Sequence, residues 1–249
     1  MIPVIIFVFG AIYGSFINVI IFRLPKNLSI ILPKSFCFHC KTPIPMYRNI
    51  PIVSFLIQNG KCANCNCKIS IQYPIIELIT GFIFLLSYFF IFPGNQIESL
   101  FFAITSGLLV SIALIDHKYY IIPLSLILSI IIINIPFIVW LSSEYITYHI
   151  YGAIVGLGYL SIVFVLTWLL VKKQPMGFGD LQLIIILGMW LGPVKILLTI
   201  FFASILGILY WALLFALKKQ NKNVKLPFGT FLCCAGIIMY LIPVWNPYS

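Results

Sequence analysis

The sequence predicts an all-α polytopic membrane protein of about eight transmembrane helices with a small cytoplasmic zinc-binding loop domain. Three observations carry this. The 249 residues are 62% hydrophobic and 8% charged, with mean hydropathy +1.14, which is more apolar surface than a soluble domain can bury. The apolar runs reach spanning length, and such runs are helical because the bilayer core offers no water to unpaired backbone groups. Fourteen of the fifteen Lys and Arg fall in four of the connections, the asymmetry of a protein whose basic loops stay in the cytoplasm. The net charge of +10 therefore belongs to loops and does not imply nucleic acid.

The apolar runs place spans at 2–22, 75–92, 99–115, 123–141, 150–171, 181–193, 196–217 and 228–244. The first lacks a basic n-region and a small-residue cleavage site, so it reads as a spanning helix and not a removed signal. The segment 23–74 holds Arg23, Lys26, Lys34, Lys41, Arg48, Lys61 and Lys68. Lys118 follows the third span, Lys172 and Lys173 the fifth, and Lys218, Lys219, Lys222 and Lys225 the seventh. Only Lys195 falls on the other side, with Glu98, Glu144 and His149 in outward loops and both termini outward. The sixth span is short and Gly-rich.

The sizeable soluble piece, 23–74, carries two C-x-x-C pairs, Cys37/Cys40 and Cys62/Cys65, separated by 21 residues. Each pair can chelate through a tight turn, and together they supply four thiolates for a tetrahedral structural zinc. A reducing cytoplasm makes disulfides the poorer reading. A loop of this length has little core of its own, which favours a metal staple over bare thiols. Cys67 could replace Cys65, and His39 lies inside the first pair. Cys233 and Cys234 sit in the last span as small packing residues.

The chain has two aspartates, Asp116 in "ALIDHKYYIIP" and Asp180 in "QPMGFGDLQLIII", each at the cytoplasmic edge of a span. A solvated helix end or an N-cap would explain one of them. That the pair share a side, and that Gly177 and Gly179 allow close backbone approach, points to shared chemistry. Two adjacent carboxylates hold one proton between them: one activates a water and the other protonates a leaving amide. The implied reaction is peptide hydrolysis without a metal or a nucleophilic side chain.

In order along nearly the whole chain, "GSFINVIIFRLP" (14–25), the two C-x-x-C pairs with "NIPIVSFL" between and "YPIIELITG" after, "MGFGDLQL" (176–183) and "LPFGTFL" (226–232) resemble the type IV prepilin leader peptidases. These are polytopic aspartic proteases of the bacterial cytoplasmic (inner) membrane. The resemblance implies Asp116 and Asp180 as the catalytic pair, prepilins and pseudopilins with short basic leaders as substrates, and a cut after the glycine ending the leader. It also implies, as in many members, methylation of the new amino terminus from S-adenosylmethionine. The organisation that follows is a first transmembrane helix, 1–22, a cytoplasmic tetra-cysteine domain, 23–74, and a membrane domain, 75–249, carrying the dyad. The chain departs from the family pattern at Leu124, where an acid often follows Ile-Pro, and at Gln182, where a lysine often follows the second aspartate.

Other polar residues have quieter readings. Ser15 and Asn18 can glue helices or line a groove. Glu77 is interfacial or belongs to a methyl-transfer site. Arg23 reads as a snorkelling anchor. Phe36, Tyr47 and Phe55 could wall a methyl-transfer pocket or pack on the membrane. No Gly-rich dinucleotide-type fingerprint is present. An ion-coupled transporter and a non-catalytic zinc scaffold are the rival readings; the first would want ionisable groups at mid-membrane, not at span edges.

Overall fold

A computed structural model describes residues 1–141, 146–172, 176–217 and 225–243. Glu144, Lys173, Lys218, Lys219, Lys222 and the last residue of the 228–244 span lie outside the described residues. The described chain is helical: α1 (Ile2–Arg23), α2 (Val53–Ile57), α3 (Gln72–Phe90), α4 (Gln96–Tyr119), α5 (Leu124–Leu141), α6 (Ile146–Val171), α7 (Phe178–Ala216) and α8 (Phe228–Leu241). Two 3-10 turns, Leu24–Lys26 and Met46–Arg48, punctuate the segment after α1.

The eight expected spans fall on seven helical stretches among the described residues, two of them running together in α7. Five helical segments are long and apolar enough to cross a membrane: Ile2–Lys26, Gln72–Phe90, Gln96–Tyr119, Ile146–Leu170 and Phe178–Ala216. Leu124–Val139 and Phe228–Leu241 are shorter apolar helices. The segments expected at 181–193 and 196–217 are the two helical halves of α7, which run together across a sharp break at Gly192. Gly192 takes φ 76, which glycine tolerates, and Pro193 has no N–H to continue the ladder. The two halves fold back along α8: Asp180 and Tyr210 lie at its start, near Gly229 and Phe231, while Trp190 and Lys195 lie at its end, beside Tyr240. Lys195 follows the break at Gly192, and His149 and Glu98, expected in loops, lie in the first turns of α6 and α4. Lys195 Nζ donates to the Tyr240 carbonyl at 3.2 Å, and His149 Nδ1 donates to the Met189 carbonyl at 2.6 Å.

The chain forms two compact units, Met1–Gly107 and Leu108–Ser249, the division falling inside α4. In the first, α1 lies against α3. A Cβ on Gly14 would come within 2.8 Å of Glu77 Cα, so the missing side chain sets the helix spacing. Ile17, Ile20, Ile21 and Ile76 are buried there. Arg23 is buried, not snorkelling: its guanidinium donates to the carbonyls of Ser29 and Pro33, at 2.9 and 2.7 Å, and ties down the segment after α1. In the second unit α7 packs on α6 and α8. Gly152 and Gly188 allow the close approach of α6, since a Cβ on Gly188 would meet the Gly152 carbonyl carbon at 2.7 Å. Leu183, Ile184, Leu187 and Leu232 fill the interior.

Candidate active site

The second unit brings the two aspartates to the start of α8. Asp116 lies in the last turn of α4 and Asp180 in the first turn of α7, and both are buried. The first N–H groups of a helix have no partner within it, so they donate to whatever acceptor lies ahead. At α8 that acceptor is the Asp116 carboxylate. Thr230 N–H donates to Asp116 Oδ2 at 2.8 Å, and the Thr230 hydroxyl lies 3.1 Å from the same oxygen and 2.9 Å from the Ala113 carbonyl. The neighbouring Gly229 backbone lies beside Asp180, which is within electrostatic reach of Asp116.

Asp180 also performs the capping role that its sequence context suggests, from the third helical position and not the N-cap itself. Its Oδ2 accepts the Gly177 N–H at 3.2 Å. The room left by Gly179 is already taken: a Cβ there would lie 3.0 Å from Ile122 Cβ. Gly229 is equally enclosed, with Ile122 Cδ1 at 2.9 Å and Asp116 Oδ2 at 3.1 Å from a built Cβ. Ile122, Gly229 and Thr230 are therefore parts of the site that the sequence reading did not assign. The signal for the last two was present, since a Pro-Phe-Gly-Thr run before an apolar stretch marks a helix start. Leu124 and Gln182, the two departures from the family pattern, are exposed.

The first unit assembles the cysteines. The Sγ atoms of Cys37, Cys40, Cys62 and Cys65 lie within 4.8 Å of one another. Zinc–sulfur bonds of about 2.3 Å give a tetrahedral edge of about 3.8 Å, and Cys37 Sγ to Cys65 Sγ is 3.8 Å. Residues 35–44 and 60–69 form two equivalent knuckles, an internal repeat missed in the sequence. Each has an isolated antiparallel bridge, Phe36 to Pro43 and Lys61 to Lys68. Cys37 N–H donates to the Thr42 carbonyl at 3.0 Å as Cys62 N–H donates to Cys67 at 2.9 Å. The residue after each second cysteine is left-handed, Lys41 at φ 60 and Asn66 at φ 56. Cys67 thus occupies the register of Thr42, while Cys65 occupies that of Cys40. The Thr42 hydroxyl donates to Cys40 Sγ at 3.2 Å, and this bond holds the Cys40 thiol down to about 6. A thiolate is the form a metal requires. Cys67 also lies near, 3.1 Å from Cys65 Sγ and grouped with His39.

Glu77 is buried under the loop. Its Oε2 accepts the Ile52 N–H at 2.7 Å, and Ser15 lies beside the same carboxylate. Asn18 does join helices: its Nδ2 donates to Gly14 and Tyr73 carbonyls at 3.2 and 3.1 Å. Of the three aromatics, Phe36 meets Phe38 edge-on, Phe55 packs on Gly60, and Tyr47 is exposed.

The bacterial peptidase A24 N-terminal domain family matches residues 8–91. The type IV leader peptidase family matches residues 100–212. The chain is 31% identical to the prepilin leader peptidase/N-methyltransferase of Neisseria gonorrhoeae, covering 94% of this chain and 88% of that protein. It is 32% identical to the protein of the same name from Stutzerimonas stutzeri, covering 94% and 88%. It is also 32% identical to that of Bacillus subtilis strain 168, covering 95% and 93%. No solved structure matches the chain.

Proposed function

Because the chain belongs to the type IV leader peptidase family, we propose that it is an aspartic endopeptidase of the bacterial cytoplasmic membrane that removes the basic leader of prepilins and pseudopilins, with Asp116 and Asp180 as its catalytic pair. The observation that carries this reading is the meeting of the two carboxylates at the α8 N-terminus. One carboxylate, ionised, takes a proton from a water as it attacks the scissile carbonyl. The other, protonated, gives its proton to the departing amine. The N–H groups of Thr230 and Gly177 hold the pair in place while the charge moves between them.

The substrate's apolar helix lies in the bilayer and its basic leader in the cytoplasm, so the scissile bond sits at an interface where water is present. Both aspartates lie in end turns of apolar helices, which suits that depth. An ion-coupled transporter would want them at mid-span. The basic loops and the cysteine loop face the cytoplasm in this reading.

Cys37, Cys40, Cys62 and Cys65 hold one structural zinc; the four-sulfur donor set and the 3.8 Å edge fit it. The relatives' names support a second activity, methylation of the new amino terminus. S-adenosylmethionine, when bound, supplies an electrophilic methyl group. The buried Glu77–Ser15–Asn18 group has the acceptors that a cationic partner in such a reaction needs.

Asp116→Asn and Asp180→Asn in purified protein test the peptidase reading. Each is expected to abolish leader cleavage while zinc content stays normal. Near-normal cleavage by either variant would sink the two-carboxylate mechanism.

A further inference from the structure

The first unit contains a buried carboxylate that the peptidase chemistry does not use. Glu77 is 6% exposed, one and a half turns into α3, and no Lys or Arg pairs with it among the described residues. Its partners are the Ile52 N–H at 2.7 Å and Ser15 of α1. A buried acid with only neutral partners is costly unless a positive charge arrives to face it.

Asn18 lies one turn further along α1 from Ser15, and it is 3% exposed. Both hydrogens of its amide are placed, on the carbonyls of Gly14 and of Tyr73, which is one turn before Glu77 on α3. Its Oδ1 is buried with no donor. Native proteins rarely leave such an atom unpaired, so an orphan acceptor marks where a donor belongs. The α1–α3 seam therefore presents a carboxylate and an unmet amide oxygen, and both seek N–H donors. The backbone over the seam is held with some strain: Ile52, a β-branched residue, sits at φ 62 with its N–H on Glu77.

A primary ammonium satisfies this set. It carries a positive charge and three N–H donors. We propose that Glu77, with Asn18 Oδ1 about one helical turn away along the seam, receives the free amino terminus of the cleaved substrate and takes one of its protons before methyl transfer. This rests on the methylation reading above. An α-amino group is mostly protonated at neutral pH, with an ordinary pKa of about 7.7–8.0, and the protonated form has no lone pair to react. Proton transfer gives a neutral amine and a protonated Glu77. The amine lone pair then forms the N–C bond to the methyl group as the C–S bond breaks. That bond's electron pair stays on sulfur, which becomes a neutral thioether. The product is a secondary ammonium, and Glu77 returns its proton to water.

A plain structural role for Glu77, latching Ile52, makes the opposite forecast for two variants. Glu77→Gln keeps the length and an acceptor oxygen for Ile52 but loses the charge. Glu77→Asp keeps the charge but falls short of Ile52. The measurements are label transfer from methyl-labelled S-adenosylmethionine to already-cleaved pilin, and binding of an apolar peptide with a free amino terminus against its N-acetylated form. Zinc content and prepilin cleavage are followed as folding controls. Wild type is expected to bind the free-amine peptide at least about tenfold tighter than the acetylated one. Glu77→Gln is expected to erase that preference and to lower label transfer about 10²–10⁴-fold, the usual worth of a general base. Glu77→Asp is expected to retain more of both. The opposite ranking, or a wild type that binds the two peptides alike, overturns the assignment. A wild type that cuts prepilin but labels no cleaved pilin, while still preferring the free amine, overturns the methylation reading instead.

Discussion

Thr230→Val removes one hydroxyl from the candidate active site and almost nothing else. Valine matches threonine in shape, and the Thr230 N–H, 2.8 Å from Asp116 Oδ2, belongs to the backbone and survives. What is lost is the hydroxyl 3.1 Å from that oxygen and 2.9 Å from the Ala113 carbonyl. A hydrogen bond to a charged group is worth about 1.5–3 kcal/mol, and each 1.4 kcal/mol is tenfold in rate, so kcat is expected to fall roughly 10- to 150-fold. KM should change little, because Thr230 reaches the substrate only through Asp116. The assay is leader removal from a purified prepilin in detergent, followed as kcat and KM separately. Thr230→Ser restores the hydroxyl and is expected to recover most of the rate. A Thr230→Val enzyme with wild-type kcat, or a Thr230→Ser enzyme no better than it, would refute the positioning role of this residue.

Gly229→Ala should be worse, since its Cβ would sit 2.9 Å from Ile122 Cδ1 and 3.1 Å from Asp116 Oδ2; a cleavage rate within about threefold of wild type would contradict the tight enclosure. The pH–rate profile of cleavage is expected to be bell-shaped, because the reaction needs one carboxylate ionised and the other protonated; a plateau from acid to alkaline pH would exclude a shared-proton pair. Metal analysis is expected to give about one zinc per chain. Cys65→Ser should lose that zinc while Cys67→Ser keeps it, because Cys67 stands in the register of Thr42; the reverse order would exchange the two assignments. Replacing the Cys62/Cys65 pair should loosen the loop far more than it slows cleavage in detergent, which limited proteolysis and the cleavage assay can compare.

Much of this protein follows from its sequence because membranes and metals impose simple rules. Apolar runs must be helices, so an all-helical class was legible from composition alone, and C-x-x-C spacing marked the cysteines that chelate together while leaving Cys65 and Cys67 as alternatives. The aspartates were legible because a chain this apolar carries only two. Three things needed the tertiary structure. The turn between the 181–193 and 196–217 segments depends on whether Gly192 bends a helix or breaks it; local sequence permits both, and the contacts of Trp190 and Tyr210 with opposite ends of α8 decide for a break. The partners of the dyad, Thr230 and Gly229, lie more than a hundred residues from Asp116, so no window of sequence can bring them together; the α8 N-terminus does. Burial of Arg23 and Glu77 likewise turns on what covers a helix end. Sequence gives a charged residue at an interface, but only the packing of α1, α3 and the loop at Ile52 makes one a clamp and the other a buried acid awaiting a donor.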